Sequence, residues 1–437
     1  MRRIGIVGAG QAGLVLGLGL RRHGYEVTIV TERSAEAVRG GRLISNQCLF
    51  HPALTREREL GINFWDAHAP EIGEVAFCTA GEPGAGKPAI AWRAPLDQPA
   101  QSVDQRVKVS EWMAEFARQG GEIRERRVGP EDLDDYAREF DLLLVAAGRG
   151  PQFDALFPRN EILSPYSEPQ RSIGILYVKS AGDEPLPAIS SGLSVALSDA
   201  GEFFGLPVWS VDGPVYGVGF FGFPGGPLDC WDEVTDTEQH FERARNLLRT
   251  YFPWLAGILE DARPSRPLDA LRGRVLPVVR QPVGTLPSGA KVLAMGDTAV
   301  TNDPVAGQGA NMAAHAARSY EEAILEQGDR PFDEEFMRRA FARYWDRARY
   351  STRFTNDLLE QGPPPDHLLE TLEAGQALPE VAHRFAHLFV NPADYTGWLT
   401  DPTAGGGGPA ARARAPARRQ TPARSPPHPP RPRGARG

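Results

Sequence analysis

The chain predicts an α/β fold: a Rossmann-like nucleotide-binding domain, interrupted by a mostly antiparallel sheet and closed by C-terminal helices. Three features predict it. The chain opens on a strand–helix–strand unit with G-x-G-x-x-G spacing at Gly8, Gly10 and Gly13. A later buried strand, Lys291 to Met295, runs into Gly296-Asp297 and a Pro/Gly loop before a helix. Between the two, alternating and aromatic segments from Arg171 to Phe223 read as short antiparallel strands.

In the opening unit, Arg3 to Val7 is a buried strand, a helix runs to about His23, and Glu26 to Val30 is the second strand. Gly8 permits the tight turn, Gly10 lets a diphosphate approach the backbone, and Gly13 lets helix and strand lie close. Ala9, Gln11 and Ala12 complete the loop, whose open N–H groups and positive helix end suit an anion. Glu32, nineteen residues past Gly13, stands where a carboxylate accepts from a ribose hydroxyl. A secretory signal would not need glycines at these offsets, and no A-x-A-like site follows. The run is also too broken by glycine to span a membrane.

Next come Gly40 to Cys48, holding Arg42, Ser45 and Gln47, and a helix near Ala53 to Leu60. Glu74 to Thr79 and Ala89 to Trp92 are strands around Gly81–Lys87, which fits G-x-x-x-x-G-K. Pro88 stands where a P-loop needs Ser or Thr, so this is a hairpin loop. Val107 to Gln119 is a helix with Val109, Trp112, Met113 and Phe116 on one face. A strand from Glu122 and a short acidic helix lead to the buried strand Asp141 to Val145. It ends in Ala146-Ala147-Gly148-Arg149-Gly150, small residues suited to facing a cofactor.

In the second sheet, Trp209, Phe220, Phe221 and Phe223 are candidate pocket residues among aromatics that are mostly core. Helix Thr237 to Tyr251 returns the chain to the first domain, where Asp297 can accept from polyol hydroxyls. The loop through Pro304, Gly307, Gln308 and Gly309 leads into helix Ala310 to Glu326, with Asn311 in its first turn. Residues from Phe332 to about Ala393 are helical. His383 and His387 are spaced i, i+4, but Arg384 replaces the Glu of H-E-x-x-H, which excludes that zinc hydrolase. No G-x-S-x-G hydrolase elbow is present. From Gly405 the chain is too poor in apolar residues to fold.

The expected organisation is a discontinuous nucleotide-binding domain over 1–75, 100–160 and 270–330, and a substrate domain over 76–99 and 161–269. A helical region, 331–403, and a dispensable basic tail, 404–437, follow. That tail holds eight Arg and no acid, so the rest of the chain carries −16 against −8 overall. An acidic body argues against nucleic acid as partner. Three scattered cysteines point to a reducing, cytoplasmic setting.

Gly8-Ala9-Gly10-Gln11-Ala12-Gly13, Arg42-Leu43, Gly296-Asp297 and Asp303 to Met312 together resemble the styrene/indole monooxygenases, from residue 1 to about 403. The resemblance implies a glutathione-reductase/aromatic-hydroxylase type of FAD-binding domain. It further implies a two-component enzyme: a separate NAD(P)H-dependent flavin reductase supplies reduced FAD, and O₂ forms a C4a-hydroperoxyflavin that epoxidises indole or a vinyl-arene. The composition is that of a soluble protein with no membrane partner, and a homodimer is one of the assemblies the sequence leaves open. The implied FAD contacts are Gly8 to Gly13, Glu32, Arg42, Arg106, Gly148, Asp297, Pro304 and Gly307 to Asn311. The reaction-side candidates are Arg42, Ser45, Gln47 and Asn311, and Ser45 with Gln47 resembles the indole type. Asn302 departs from the apolar residue expected before Asp303. The alternatives are a single-component NAD(P)H-dependent aromatic hydroxylase and a non-catalytic flavin-binding or electron-carrying protein. No W-x-W-x-I-P supports a halogenase.

Overall fold

The computed structural model describes residues 2–81, 86–182, 186, 192–360, 362 and 365–400. The first stretch forms β1 (Arg3–Val7), α1 (Gln11–Arg22), β2 (Glu26–Thr31), α2 (Ala35–Arg39) and α3 (His51–Glu59). Then follow β3 (Glu71–Ala80), β4 (Pro88–Gln101), α4 (Gln105–Arg118), β5 (Glu122–Glu125), α5 (Leu133–Glu139) and β6 (Leu142–Val145). The middle holds β7 (Ser172–Ser180), β8 (Gly192–Ser198), β9 (Gly201–Ser210), β10 (Gly213–Gly222) and α6 (Thr237–Tyr251). Short strands β11 (Ala262–Pro264), β12 (Ala270–Arg274), β13 (Val278–Val279) and β14 (Val283–Thr285) precede β15 (Lys291–Ala294) and β16 (Val300–Thr301). Five helices end the described chain: α7 (Gly309–Gln327), α8 (Glu334–Leu359), α9 (Asp366–Ala374), α10 (Pro379–Ala386) and α11 (Ala393–Trp398).

The first sheet has strand order β14-β15-β6-β1-β2-β5, parallel except for β14. Its central strands are apolar because both faces are covered: β6 is Leu-Leu-Leu-Val, buried throughout. Helix α1 is buried from Gln11 to Leu20 because α4 and α7 also pack on it. Two glycines make the opening turn possible. Gly8 has φ +118°, and a Cβ there would lie 2.2 Å from the Ala146 carbonyl oxygen. A Cβ on Gly13 would lie 2.2 Å from the Gly8 carbonyl oxygen, so the helix seats against the strand end only without a side chain.

The second sheet runs β11-β7-β10-β9-β8-β3-β4, with β12 beside β11 on β7; only β3–β8 is parallel. One face carries Phe203, Phe220 and Trp231 under α6, and the other packs against the C-terminal helices through Phe77, Trp92 and Phe385. Residues 82–85 of the P-loop-like stretch are outside the described residues, but β3 and β4 pair antiparallel on either side of it. The basic tail is likewise outside them. Among the described residues, no helix is long and apolar enough to cross a membrane, and Cys48, Cys78 and Cys230 are free thiols.

Candidate functional site: a nucleotide cleft and an apolar chamber

The ends of β1, β2, β6 and β15 face one cleft. Its outer part, about 490 Å³, is lined by Gly8, Ala9, Gly10, Glu32, Gly148, Arg149 and Asp297. Its inner part, about 250 Å³, is lined by Gly10, Gln11, Ala12, Ser45, Gln47, Asp297, Pro304, Gly307, Gly309 and Ala310. The opening glycine loop and the Gly-Asp anchor, 288 residues apart from Gly8 to Gly296, are therefore two walls of one groove.

Two helices begin at this groove. Neither α1 nor α7 has a side-chain cap or an acid in its first turn, so their first N–H groups remain open for an anionic or polar ligand. Gln11 joins them: its Nε2 donates to the Ala310 carbonyl at 3.1 Å. The space around Gly10, where an added Cβ meets nothing within 4 Å, leaves the approach clear.

Four buried oxygens around the inner cleft have no hydrogen-bond partner among the described residues: Gln11 Oε1, Ser45 Oγ, Asn46 Oδ1 and Asn302 Oδ1. Each unpaired buried polar atom costs about 1–3 kcal/mol. A ligand that brings hydroxyl and N–H donors, such as the ribityl chain and ring N3–H of a flavin, offsets that cost. An open glycine loop, Glu32 at the end of β2 and these orphaned acceptors fit FAD.

The turn after β16 forms the far wall. Asp303 caps it, accepting from the Val305 N–H at 2.9 Å, and Gly307 ends it in the left-handed region at φ 62°. Asp303 is fully buried, and burial pushes its carboxyl up to about 7. Behind this turn lies a compact apolar chamber of about 50 Å³, walled by Phe50, Ile175, Leu193, Phe204, Leu206, Phe221, Ala306 and Phe389. Asn46 brings the one side-chain amide and lines both chamber and cleft. Cys48 also lines it, but burial pushes that thiol up to about 12 and keeps it from acting as a thiolate.

Several expected contacts take other roles. Arg106 is fully buried: its Nε and Nη2 bind Asp104, Nη2 also binds Asp269 at 2.7 Å, and Nη1 donates to the Gly41 carbonyl. Through that carbonyl it braces the Gly40–Cys48 segment, and it does not line the cleft. Arg42 is exposed and does not line it either. Asn311 is a clamp: Oδ1 accepts from the Phe50 N–H and Nδ2 donates to the Cys48 and Gly307 carbonyls. Gln308 is turned away, donating to the Ala306 and Phe389 carbonyls. Gln47 borders the cleft, but its Nε2 donates to the Val103 carbonyl at 2.8 Å and its Oε1 accepts from Gln105 at 3.4 Å. Its amide is committed, and it does not line the chamber. Of the four aromatics proposed for a pocket, only Phe221 reaches the chamber. Phe220 packs on Phe203 and Trp231, Trp209 on His68, and Phe223 lies under the Arg171 guanidinium.

Asn46 stands between Ser45 and Gln47 with no local signal of its own. Only the tertiary fold, which sets it against Gly217 of β10, distinguishes it from its neighbours.

A nucleotide groove with two helix N-termini, opening onto an apolar chamber with no charged side chain among its described lining residues, defines a flavoprotein of the aromatic-hydroxylase architecture. Comparisons agree on fold. A flavoprotein/dehydrogenase from Cytophaga hutchinsonii superposes with a TM-score of 0.64 at 14% identity, covering 90% of this chain and 94% of that one. The flavin-dependent brominase Bmp2 gives 0.58 at 15%, covering 90% of each chain. A tetrameric form of 2-methyl-3-hydroxypyridine-5-carboxylic acid oxygenase gives 0.59 at 16%, covering 89% and 96%. Residues 148–257 match the substrate-binding-domain model of styrene monooxygenase A. Styrene monooxygenase StyA of Pseudomonas fluorescens is 30% identical over 404 residues, covering 90% of this chain and 93% of the relative; StyA of a Pseudomonas sp. is equally similar over 402. The chain belongs to the styrene monooxygenase family. It is a flavin-dependent monooxygenase whose cofactor is FAD.

Proposed function

We propose that this chain is the oxygenase component of a two-component epoxidase, acting on the double bond of indole or a styrene-like vinyl-arene. A separate NAD(P)H-dependent reductase supplies the reduced FAD, and O₂ is the co-substrate. The observation that carries the reading is the chamber behind the Pro304–Gly307 turn: aromatic and aliphatic walls, with no carboxylate, imidazole or cationic side chain among its described lining residues. Bound in reduced form, FAD supplies the oxygen activation.

The chain's own residues then bind, orient and keep dry. Glu32 and the Gly8–Gly13 loop would hold the ribose and diphosphate, and Asp297 the polyol chain. The open first turn of α7 favours negative charge at its N-terminus. The apolar walls exclude water and lay an aromatic substrate beside the turn. Among substrates, indole is favoured by Asn46, whose unpartnered Oδ1 can accept the indole N–H; styrene offers it nothing. This moves the polar contact from Gln47, whose amide is already bonded, to its neighbour.

Two measurements test the reading. Stopped-flow mixing should show no useful bleaching of bound FAD by NADH alone, and epoxide formation once a free flavin reductase is added. Fast reduction without a reductase would identify a single-component hydroxylase instead. With reduced FAD in excess, indole should outcompete styrene, and Asn46→Ala should erase the preference, worth roughly ten- to a hundredfold in kcat/KM for a buried unpaired amide. Equal turnover of both substrates by the unmodified protein refutes the indole assignment.

A further inference from the structure

Away from the cleft, three side chains with ligand chemistry meet on the surface. His383 and His387 are one turn apart at the C-terminal end of α10 and present their rings on one face, with centroids 4.1 Å apart. Both rings point their Nε2 at Asp97 in β4. His383 Nε2 lies 2.9 Å from Asp97 Oδ1, and His387 Nε2 lies 3.2 Å from Asp97 Oδ2. One ligand atom from each residue can be chosen so that all three lie within 4.8 Å of one another. A tetrahedral ion with bonds of about 2.1 Å holds its ligand atoms roughly 3.4 Å apart, so the set closes with small side-chain movement.

The hydrogen bonding favours a cation there. His387 Nδ1 lies 2.8 Å from the His383 carbonyl, which only accepts, so Nδ1 carries a proton. In the neutral ring Nε2 then holds a lone pair, which faces a carboxylate oxygen. Among the described residues its donor is the Asp97 N–H, 3.3 Å away. Two acceptors 3.2 Å apart repel unless a proton or a metal ion lies between them. A second hydrogen bond from Nδ1 to a backbone carbonyl is also the arrangement that orients metal-binding histidines.

We propose that Asp97, His383 and His387 form a site for a divalent transition-metal ion of the zinc or nickel class, which ties α10 to the edge strand β4. Two imidazoles and one carboxylate suit such ions and suit magnesium or calcium poorly. The consequence reaches inward. Helix α10 packs Phe385 against Phe77 and Trp92, and two residues past His387 stands Phe389, whose ring walls the apolar chamber. The Phe389 carbonyl also accepts from Gln308, in the loop beside the cleft. An ion at the three ligands therefore fixes the chamber wall from outside, without contact with substrate.

The test uses untagged, full-length protein stripped with chelator and titrated calorimetrically with ZnCl₂ and with NiCl₂. One saturable event per chain is expected, together with a rise in melting temperature. Asp97→Asn, His383→Ala and His387→Ala should each weaken binding by more than roughly tenfold and abolish the thermal shift. Since Asp97 is exposed and the two histidines are only half-buried, the metal-free variants should retain the wild-type circular dichroism. A control ending at residue 403 should bind as the full chain does, because His428 lies in the tail. Absence of saturable binding, equal affinity in the three variants, or binding lost with the tail each overturns the site.

Discussion

At the scale of single residues, the cleft depends on side chains that are missing: a Cβ on Gly8 or on Gly13 would lie 2.2 Å from a backbone carbonyl oxygen. Gly8, Gly10 and Gly13 declare themselves by spacing, because a tight turn and a close helix need missing side chains at fixed offsets. Side-chain roles were not legible where the partner comes from far along the chain. Arg106 is committed to Asp269, 163 residues on, and Gln47 to Val103, 56 residues on. Nothing local announces either pairing. Two expectations belong here. Gly13→Ala should destabilise the fold by about 1–3 kcal/mol, the usual range for overpacking, and should displace the Gly8 turn; urea melts and FAD titration measure both. Glu32→Ala should weaken FAD binding by about 1.5–3 kcal/mol, the range for hydrogen bonds to a charged group, with stability of the apoprotein unchanged. Unaltered affinity in a direct titration would mean that the carboxylate points away from the ribose.

Elements were legible when they carry a period, and not when they are two or three residues long. The strand Lys291 to Ala294 and helix Thr237–Tyr251 follow from their apolar patterns. Strands β13 and β16, with two residues each, exist only because they find each other across 21 positions. The same holds for the hydrogen-bonded link from the Pro304–Ala306 turn to the C-terminal segment, made by one buried amide beside the apolar packing of the turn on α8. Gln308 Nε2 donates to the Ala306 carbonyl at 3.1 Å and to the Phe389 carbonyl at 3.0 Å. Gln308→Leu keeps the volume and leaves both acceptors unpaired, so it should cost about 1–3 kcal/mol per stranded group. The loss should appear in thermal melts together with weaker protection of the Phe389 segment in hydrogen exchange. A variant as stable and as protected as the parent would show that turn and helices hold position independently.

At the scale of the whole molecule, Asp303 and His240 push the pH dependence of stability in opposite directions. Burial pushes the Asp303 carboxyl from 3.8 up to about 7, opposed by the Val305 N–H and by Arg171. The folded protein then keeps a proton that the unfolded chain releases. This contribution is fully present below about pH 4 and is lost as pH rises to 7, by about 4 kcal/mol at 1.36 kcal/mol per unit. His240 does the reverse. Buried against Trp231, with ring centroids 4.4 Å apart, it is lowered from 6.5 to about 4 by burial and then by Arg272. It stays neutral while the unfolded chain takes up a proton. Its contribution is therefore full above pH 6.5 and is lost toward pH 4, by about 3 kcal/mol. Between pH 4 and 6.5 the two slopes have opposite sign and nearly cancel. Each variant should expose the other. In Asp303→Asn, which keeps the cap to Val305, apoprotein stability relative to the parent should be greater at pH 8 than at pH 5. In His240→Phe, which keeps the stack on Trp231, it should be greater at pH 5 than at pH 8. Urea midpoints of the three apoproteins at both pH values decide this, since the remaining ionisable groups cancel in each difference. A variant whose offset from the parent is the same at pH 5 and pH 8 carries no share of the titration, and the buried proton must then be sought elsewhere.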